Sequence, residues 1–97
     1  MSQETLRVIT RLRAQKGKEL ELRQLLEGLL EPTRAEEGCL SYELLENSED
    51  PCEFAFIEEW RDEGAFQAHF ETEHVKAALA PEVLDDELNL SRYRQIG

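Results

Sequence analysis

The residues in this chain best suited to chemistry sit in one stretch, residues 53–75, EFAFIEEWRDEGAFQAHFETEHV. Its first eight residues alternate, which sends Phe54, Phe56, Glu58 and Trp60 to one side of a strand and Glu53, Ala55, Ile57 and Glu59 to the other. The first side is an apolar wall carrying a single carboxylate, Glu58. A carboxylate so placed must find a hydrogen-bond partner or have its pKa raised, so it is either a structural anchor or a poised base. Asp62 then offers an N-cap, and Ala65, Phe66, His69 and Phe70 recur at helical spacing, folding a helix back over the sheet. Trp60 and His69 thereby border one space. Histidine, with its near-neutral pKa, is the natural proton acceptor there.

The only other histidine, His74, stands five residues on. On an unbroken helix the two would point roughly 140° apart at ~100° per residue and share no ligand. A break at Thr72 and Glu73 would let both approach the mouth of the same space, and a capping or surface role is the competing assignment for each. Two histidines are too few for a zinc site, and no other ligand cluster has the spacing of one, so no metal is expected.

The elements that position these groups follow from the hydrophobic pattern. Residues 5–14 alternate as a strand, with Leu6, Val8, Thr10 and Leu12 on one face and Arg7, Ile9, Arg11 and Arg13 on the other. The arginines suit glutamates on neighbouring strands better than a phosphate, since no glycine-rich loop accompanies them. After a turn at residues 15–18, a long amphipathic helix spans residues 18–36. Leu22, Leu25, Leu26, Leu29 and Leu30 form its buried stripe, with its last turn reset at Glu31 and Pro32. Gly38 supplies the left-handed position that ends it. Residues 39–47 form a second strand with Leu40, Tyr42 and Leu44 on one face. The turn NSEDP returns the chain as the third strand. A short helical piece over residues 75–80 ends at Pro81, the acidic run EVLDDE is a solvated connection, and residues 88–96 are a last strand.

The order strand, helix, strand, strand, helix, strand is the ferredoxin-like βαββαβ unit, an α+β fold with a four-stranded antiparallel sheet and both helices on one face. No internal repeat or linker interrupts it, so residues 1–97 are one domain. The opposite face, with Ile9, Leu45, Ala55 and Ile57 among charged residues, is too apolar in part to remain wet. A second copy would cover it, and a homodimer is expected.

Composition narrows the classes of partner. Asp and Glu number 22 against 11 Lys and Arg, a formal net charge of −11. That opposes attraction to nucleic acid or an anionic membrane. No apolar run is long enough to span a bilayer, and the N-terminus lacks a basic-then-apolar leader, so the expected location is cytoplasmic. Cys39 and Cys52 are then expected as free, buried, inert thiols.

The segments PTRAEEGCLSYEL, FAFIEEW and AFQAH, followed by His74, resemble in order and spacing the antibiotic biosynthesis monooxygenase (ABM) family of dimeric α+β barrel proteins, over nearly the whole chain. The resemblance implies the fold, the homodimer and, among the family's activities, a cofactor-free monooxygenase acting on a small quinol or polyphenol with O2. Such a substrate loses a proton, and its electron-rich anion reduces O2 directly, so no flavin or metal is needed. On that reading Tyr42, Phe54, Phe56, Phe66 and Thr10 contact the aromatic substrate, Trp60 lines the pocket, and His69, His74 or Glu58 takes the proton. The same residue types serve equally as core aromatics. The fold also hosts non-catalytic small-molecule binders and haem-binding or haem-degrading proteins, in which a histidine of the second helix would be an axial ligand.

Overall fold

Alternating residues of adjacent strands pair so that one face of the sheet is mainly apolar, interrupted by Thr10 and Glu58 and, at one edge, by Arg92. The computed structural model describes residues 5–79, 82–85 and 88–97. Eight elements follow in order: β1 (Leu6–Arg13), α1 (Glu19–Glu27), α2 (Leu30–Arg34), β2 (Cys39–Glu46), β3 (Glu53–Trp60), α3 (Glu63–His69), α4 (Glu73–Ala78) and β4 (Asn89–Tyr93). The sheet order is β2-β3-β1-β4, with every pair antiparallel. This is the expected ferredoxin-like arrangement, each half contributing a broken helix rather than a continuous one.

The core lies between the helices and the inner face of the sheet. Val8 and Leu12 from β1, Tyr42 from β2 and Phe54, Phe56 and Trp60 from β3 meet Leu22, Leu26, Leu29, Ala65 and Phe66, all buried. At about 1.5–3 kcal/mol per large buried apolar side chain, this layer is the main favourable term in folding a chain of this size. Among the described residues, the outer face carries no helix. There Ile9, Ala55 and Ile57 are half-buried, while Leu45 and Tyr93 are each 49% exposed. Among the described residues, no helix is long and apolar enough to cross a membrane.

Several local expectations are corrected. The first helix breaks at Gly28 and Leu29, one turn before Pro32, and Pro32 lies in the first turn of α2. A proline cannot donate to the carbonyl four residues back, here that of Gly28, and its ring clashes with it. The helix therefore gives way at that carbonyl, with the Leu29 amide turning instead to Leu26 O at 3.0 Å. In β2 the pairing jumps from Cys39↔Trp60 to Ser41↔Glu59, a bulge that inserts Leu40 and flips it outward, 53% exposed, while half-buried Cys39 packs on the core. Both cysteines are free but half-buried rather than buried. Burial, with the charges of Glu36 and Glu58, raises the Cys39 thiol to about 11, which keeps it inert.

The acidic run after α4 is not simply solvated. Val83 is buried, Leu84 bridges Ala14, and the amides of Gln15 and Asp85 bond to Val83 O and Arg13 O. The end of the preceding helical piece, residues 80 and 81, and residues 86 and 87 of the acidic run lie outside the described residues. The last strand stops at Tyr93, three residues early, because its partner there is Arg7, at the very start of β1.

Candidate functional site

β3 sets the floor of the site. Glu58 pairs with Val8 on one side and Tyr42 on the other, so its side chain enters the core, where it is 3% exposed. Thr10, diagonally across on β1, donates its hydroxyl to Glu58 Oε2 at 2.9 Å. Trp60, two residues along β3 and therefore on the same face, donates its indole Nε1–H to Oε1 at 2.8 Å. Burial pushes the Glu58 carboxyl up to about 7, against these two hydrogen bonds, and the charge of Glu36 adds to the rise. Glu58 is thus anchored and also poised near neutrality.

α3 and α4 supply the histidines. Asp62 caps α3 by accepting the Ala65 amide at 2.8 Å, and the helix then turns Phe66 and His69 into the core. The expected break follows. The Thr72 hydroxyl donates to His69 O at 2.7 Å and accepts the Val75 amide at the start of α4. This break brings together two histidines that a continuous helix would keep apart: His69 Nδ1 and His74 Nε2 each lie 2.7 Å from the same oxygen, Glu36 Oε2.

Glu36 reaches them from the turn between α2 and β2. Two residues on, Gly38 has φ +89°, and a Cβ there would come within 2.5 Å of the Ala65 Cβ. The absent side chain is what allows the turn to lie against α3. With Glu36 ionised, each of the two nitrogens donates an N–H to it. His69 is then the Nδ1–H tautomer, with its lone pair on Nε2. Its ring is 4% exposed, 4.9 Å from Trp60 and 5.7 Å from Tyr42 between centroids. Burial holds the His69 pKa below the usual histidine value, Glu36 pulling the other way, so the ring stays neutral in neutral solution.

Thr10, Glu58, Trp60, His69, Glu36 and His74 therefore form one continuous run of contacts, the Trp60–His69 ring contact linking the hydrogen bonds on Glu58 to those on Glu36. The aromatics assigned to the substrate are packed on one another instead of around a void. Tyr42 stacks on Phe56 at 4.5 Å, Trp60 tilts against Phe66 at 6.0 Å, and Phe54 is buried beside them. Of the histidines and their shared carboxylate, only Glu36 lines an open groove, of about 510 Å³, with Arg61, Asp62, Ala65, Ala68 and Thr72. Sequence reasoning missed Glu36 as a site residue. It lies 33 residues from His69, and only its place two residues ahead of Gly38 hints at a turn. That glycine does not end the helix as expected, since α2 stops at Arg34 with Ala35 as its cap, and its left-handed backbone serves the turn into β2 instead.

The family model for antibiotic biosynthesis monooxygenases matches residues 5–81. The structure of PA3566 from Pseudomonas aeruginosa superposes with a TM-score of 0.91 at 30% identity, over 97% of this chain and 96% of that one. A structure described as an antibiotic biosynthesis monooxygenase superposes at 0.87, also at 30% identity, over 95% of this chain and 99% of that one. YcnE of Bacillus subtilis, whose name provisionally calls it a monooxygenase, is 37% identical over 54 residues, 56% of this chain and 57% of that one. The chain spans between 52% and 58% of the length of the curated relatives it matches. The family model's match over most of the chain, together with the shared fold, places this chain in the antibiotic biosynthesis monooxygenase family.

Proposed function

We propose that the protein is a cofactor-independent monooxygenase that oxidises a small quinol or polyphenol with O2. The observation that carries this reading is the His69 imidazole, buried beside Trp60 and Tyr42, with Nδ1 held by Glu36 and Nε2 left as a proton acceptor. A hydroquinone that loses its hydroxyl proton to Nε2 becomes an anion able to pass an electron to O2. The electrons balance without a reductant: hydroquinone and O2 give a hydroxyquinone and water, the substrate supplying all four electrons. The protein's part is to take the proton, orient the ring and keep water from the intermediates. On this reading Trp60, Tyr42, Phe54, Phe56 and Phe66 part from their mutual packing to contact the ring, with Thr10 and Glu58 the polar groups behind them.

The same reading includes a homodimer formed through the outer face of the sheet. Register puts Ile9 beside Ile57 at its centre, with Arg7 reaching Glu59 at 3.6 Å and Arg11, which has no ion-pair partner among the described residues, opposite Ala55. A second copy would cover the isoleucines and set arginines against glutamates under two-fold symmetry.

The second reading is a non-catalytic protein in which the same residues bind a small aromatic or simply form core, and the tight packing of the wall aromatics within one protomer favours the core role. Oxygen-electrode assays on a panel of quinols separate the two. Saturable O2 uptake above the rate of spontaneous oxidation is expected, and quinol binding without such uptake would establish the binder instead.

A further inference from the structure

We propose that Glu36, His69 and His74 form a binding site for a divalent transition-metal ion of the zinc or cobalt type. Three donors arrive from three separate parts of the chain, the α2–β2 turn, the end of α3 and the start of α4. Their ligand atoms all lie within 4.8 Å of one another. The donor set is two imidazoles and one carboxylate, which suits borderline metals and disfavours magnesium or calcium, whose shells are built from oxygen. One negative charge among two neutral rings partly offsets a dication. Three protein ligands also leave a coordination position free, as in catalytic zinc sites. Glu36 lines the open groove beside α3, which gives an ion a route in and leaves room for a water to complete its shell.

In the metal-free arrangement two N–H groups converge on one oxygen at 2.7 Å. Bonds of about 2.0–2.1 Å to a tetrahedral ion set neighbouring donors roughly 3.3 Å apart, so the carboxylate must withdraw by about half an ångström while the two nitrogens close on each other. The side chains of Glu36 and His74, 12% and 26% exposed, have the freedom for that adjustment. The inference goes beyond the oxygenase reading and opposes it in one respect. A metal on His69 Nδ1 moves the ring's proton to Nε2, the atom that would otherwise accept a proton, so a loaded site is an inhibited one.

The test is titration of the chelator-treated full chain with Co(II), followed by visible d–d absorption and thermal unfolding. Saturation at one ion per chain, with absorption typical of low coordination and a raised Tm, is expected. His74→Ala and Glu36→Gln should each weaken binding by about tenfold or more. Because His74 is partly exposed, its variant tests the site even if the Glu36 variant fails to fold. Absence of both signals, or equal affinity in the parent and in His74→Ala, would overturn the proposal. Neither result depends on whether the protein oxidises a quinol.

Discussion

The indole Nε1 of Trp60 donates a 2.8 Å hydrogen bond to the Glu58 carboxylate two residues earlier on β3, and both side chains are buried on the helix-facing side of the sheet. Alternation along a strand makes this contact possible, and burial gives it a pH signature. The folded-state pKa of Glu58 is raised from 4.5 to about 7. Its contribution to stability is therefore complete below the unfolded value and is lost as pH rises through the folded one. Glu58→Gln keeps an acceptor for Trp60 and removes the titration. Urea denaturation at about pH 5 and about pH 8 should show the parent losing on the order of 2 to 3 kcal/mol relative to the variant, at roughly 1.4 kcal/mol per pKa unit. A difference between the two that did not change with pH would exclude this account.

A second prediction concerns the turn that delivers Glu36. Gly38→Ala meets both a positive φ and a Cβ contact of 2.5 Å with Ala65. Left-handed backbone costs an L-residue roughly 1–2 kcal/mol and overpacking about 1–3 more. A loss of stability on the order of 2 to 5 kcal/mol is expected in chemical denaturation. Gly17→Ala is the contrast, since Gly17 is also left-handed, at φ +84°, but has open space around it. It should cost about 1–2 kcal/mol at most.

These two cases show what the sequence could and could not disclose. Period-two alternation and the NSEDP turn were enough to read β1 and β3 and their inner faces, because burial on one side leaves its mark on every second residue. The Asp62 cap and the break at Thr72 were legible for a similar reason, since both are local chemistry. Leu40 was misplaced because a bulge changes the parity of a strand without any required residue type. Pro32 announced a break, but the break falls at the carbonyl it obstructs, one turn upstream. Glu36 was invisible as a site residue because its meeting with His69 and His74 depends on how two distant turns pack, which no periodicity records.

The outer face gives a third prediction. Ile57 sits at its centre, paired with Ile9 and Glu43. If two sheets pack there, Ile57→Asp should yield a monomer in sedimentation velocity at micromolar concentration, with the circular dichroism of the parent. Arg11→Glu should weaken the dimer less completely, by placing like charges opposite one another. A parent chain that sediments as a monomer at moderate salt would remove the interface altogether.

The last prediction ranks the groups around His69. A general base typically contributes on the order of a hundredfold or more in rate, so His69→Ala should lower kcat for quinol oxidation by that order. On the proposed reading Glu36 touches the base and not the substrate, which makes it a positioning residue. Glu36→Gln keeps an acceptor oxygen for both imidazoles but removes its charge, so the His69 tautomer is held less firmly and kcat should fall by a smaller factor. His74, the more exposed of the pair and bound to the same Glu36 oxygen as His69, should matter least. Trp60→Phe, gentler than alanine at a fully buried position, should chiefly raise KM, because a wall aromatic holds the ground state and the transition state alike. It also deletes the donor to Glu58, so its effect on the pH dependence of stability provides an internal check that the hydrogen bond was lost. Steady-state oxygen uptake on variants shown to be folded gives the whole ranking. Should a folded variant lacking both imidazoles oxidise a quinol at the parent's rate, neither histidine is the base. The role would then pass to Glu58, the buried carboxylate whose raised pKa already equips it to exchange a proton near neutrality.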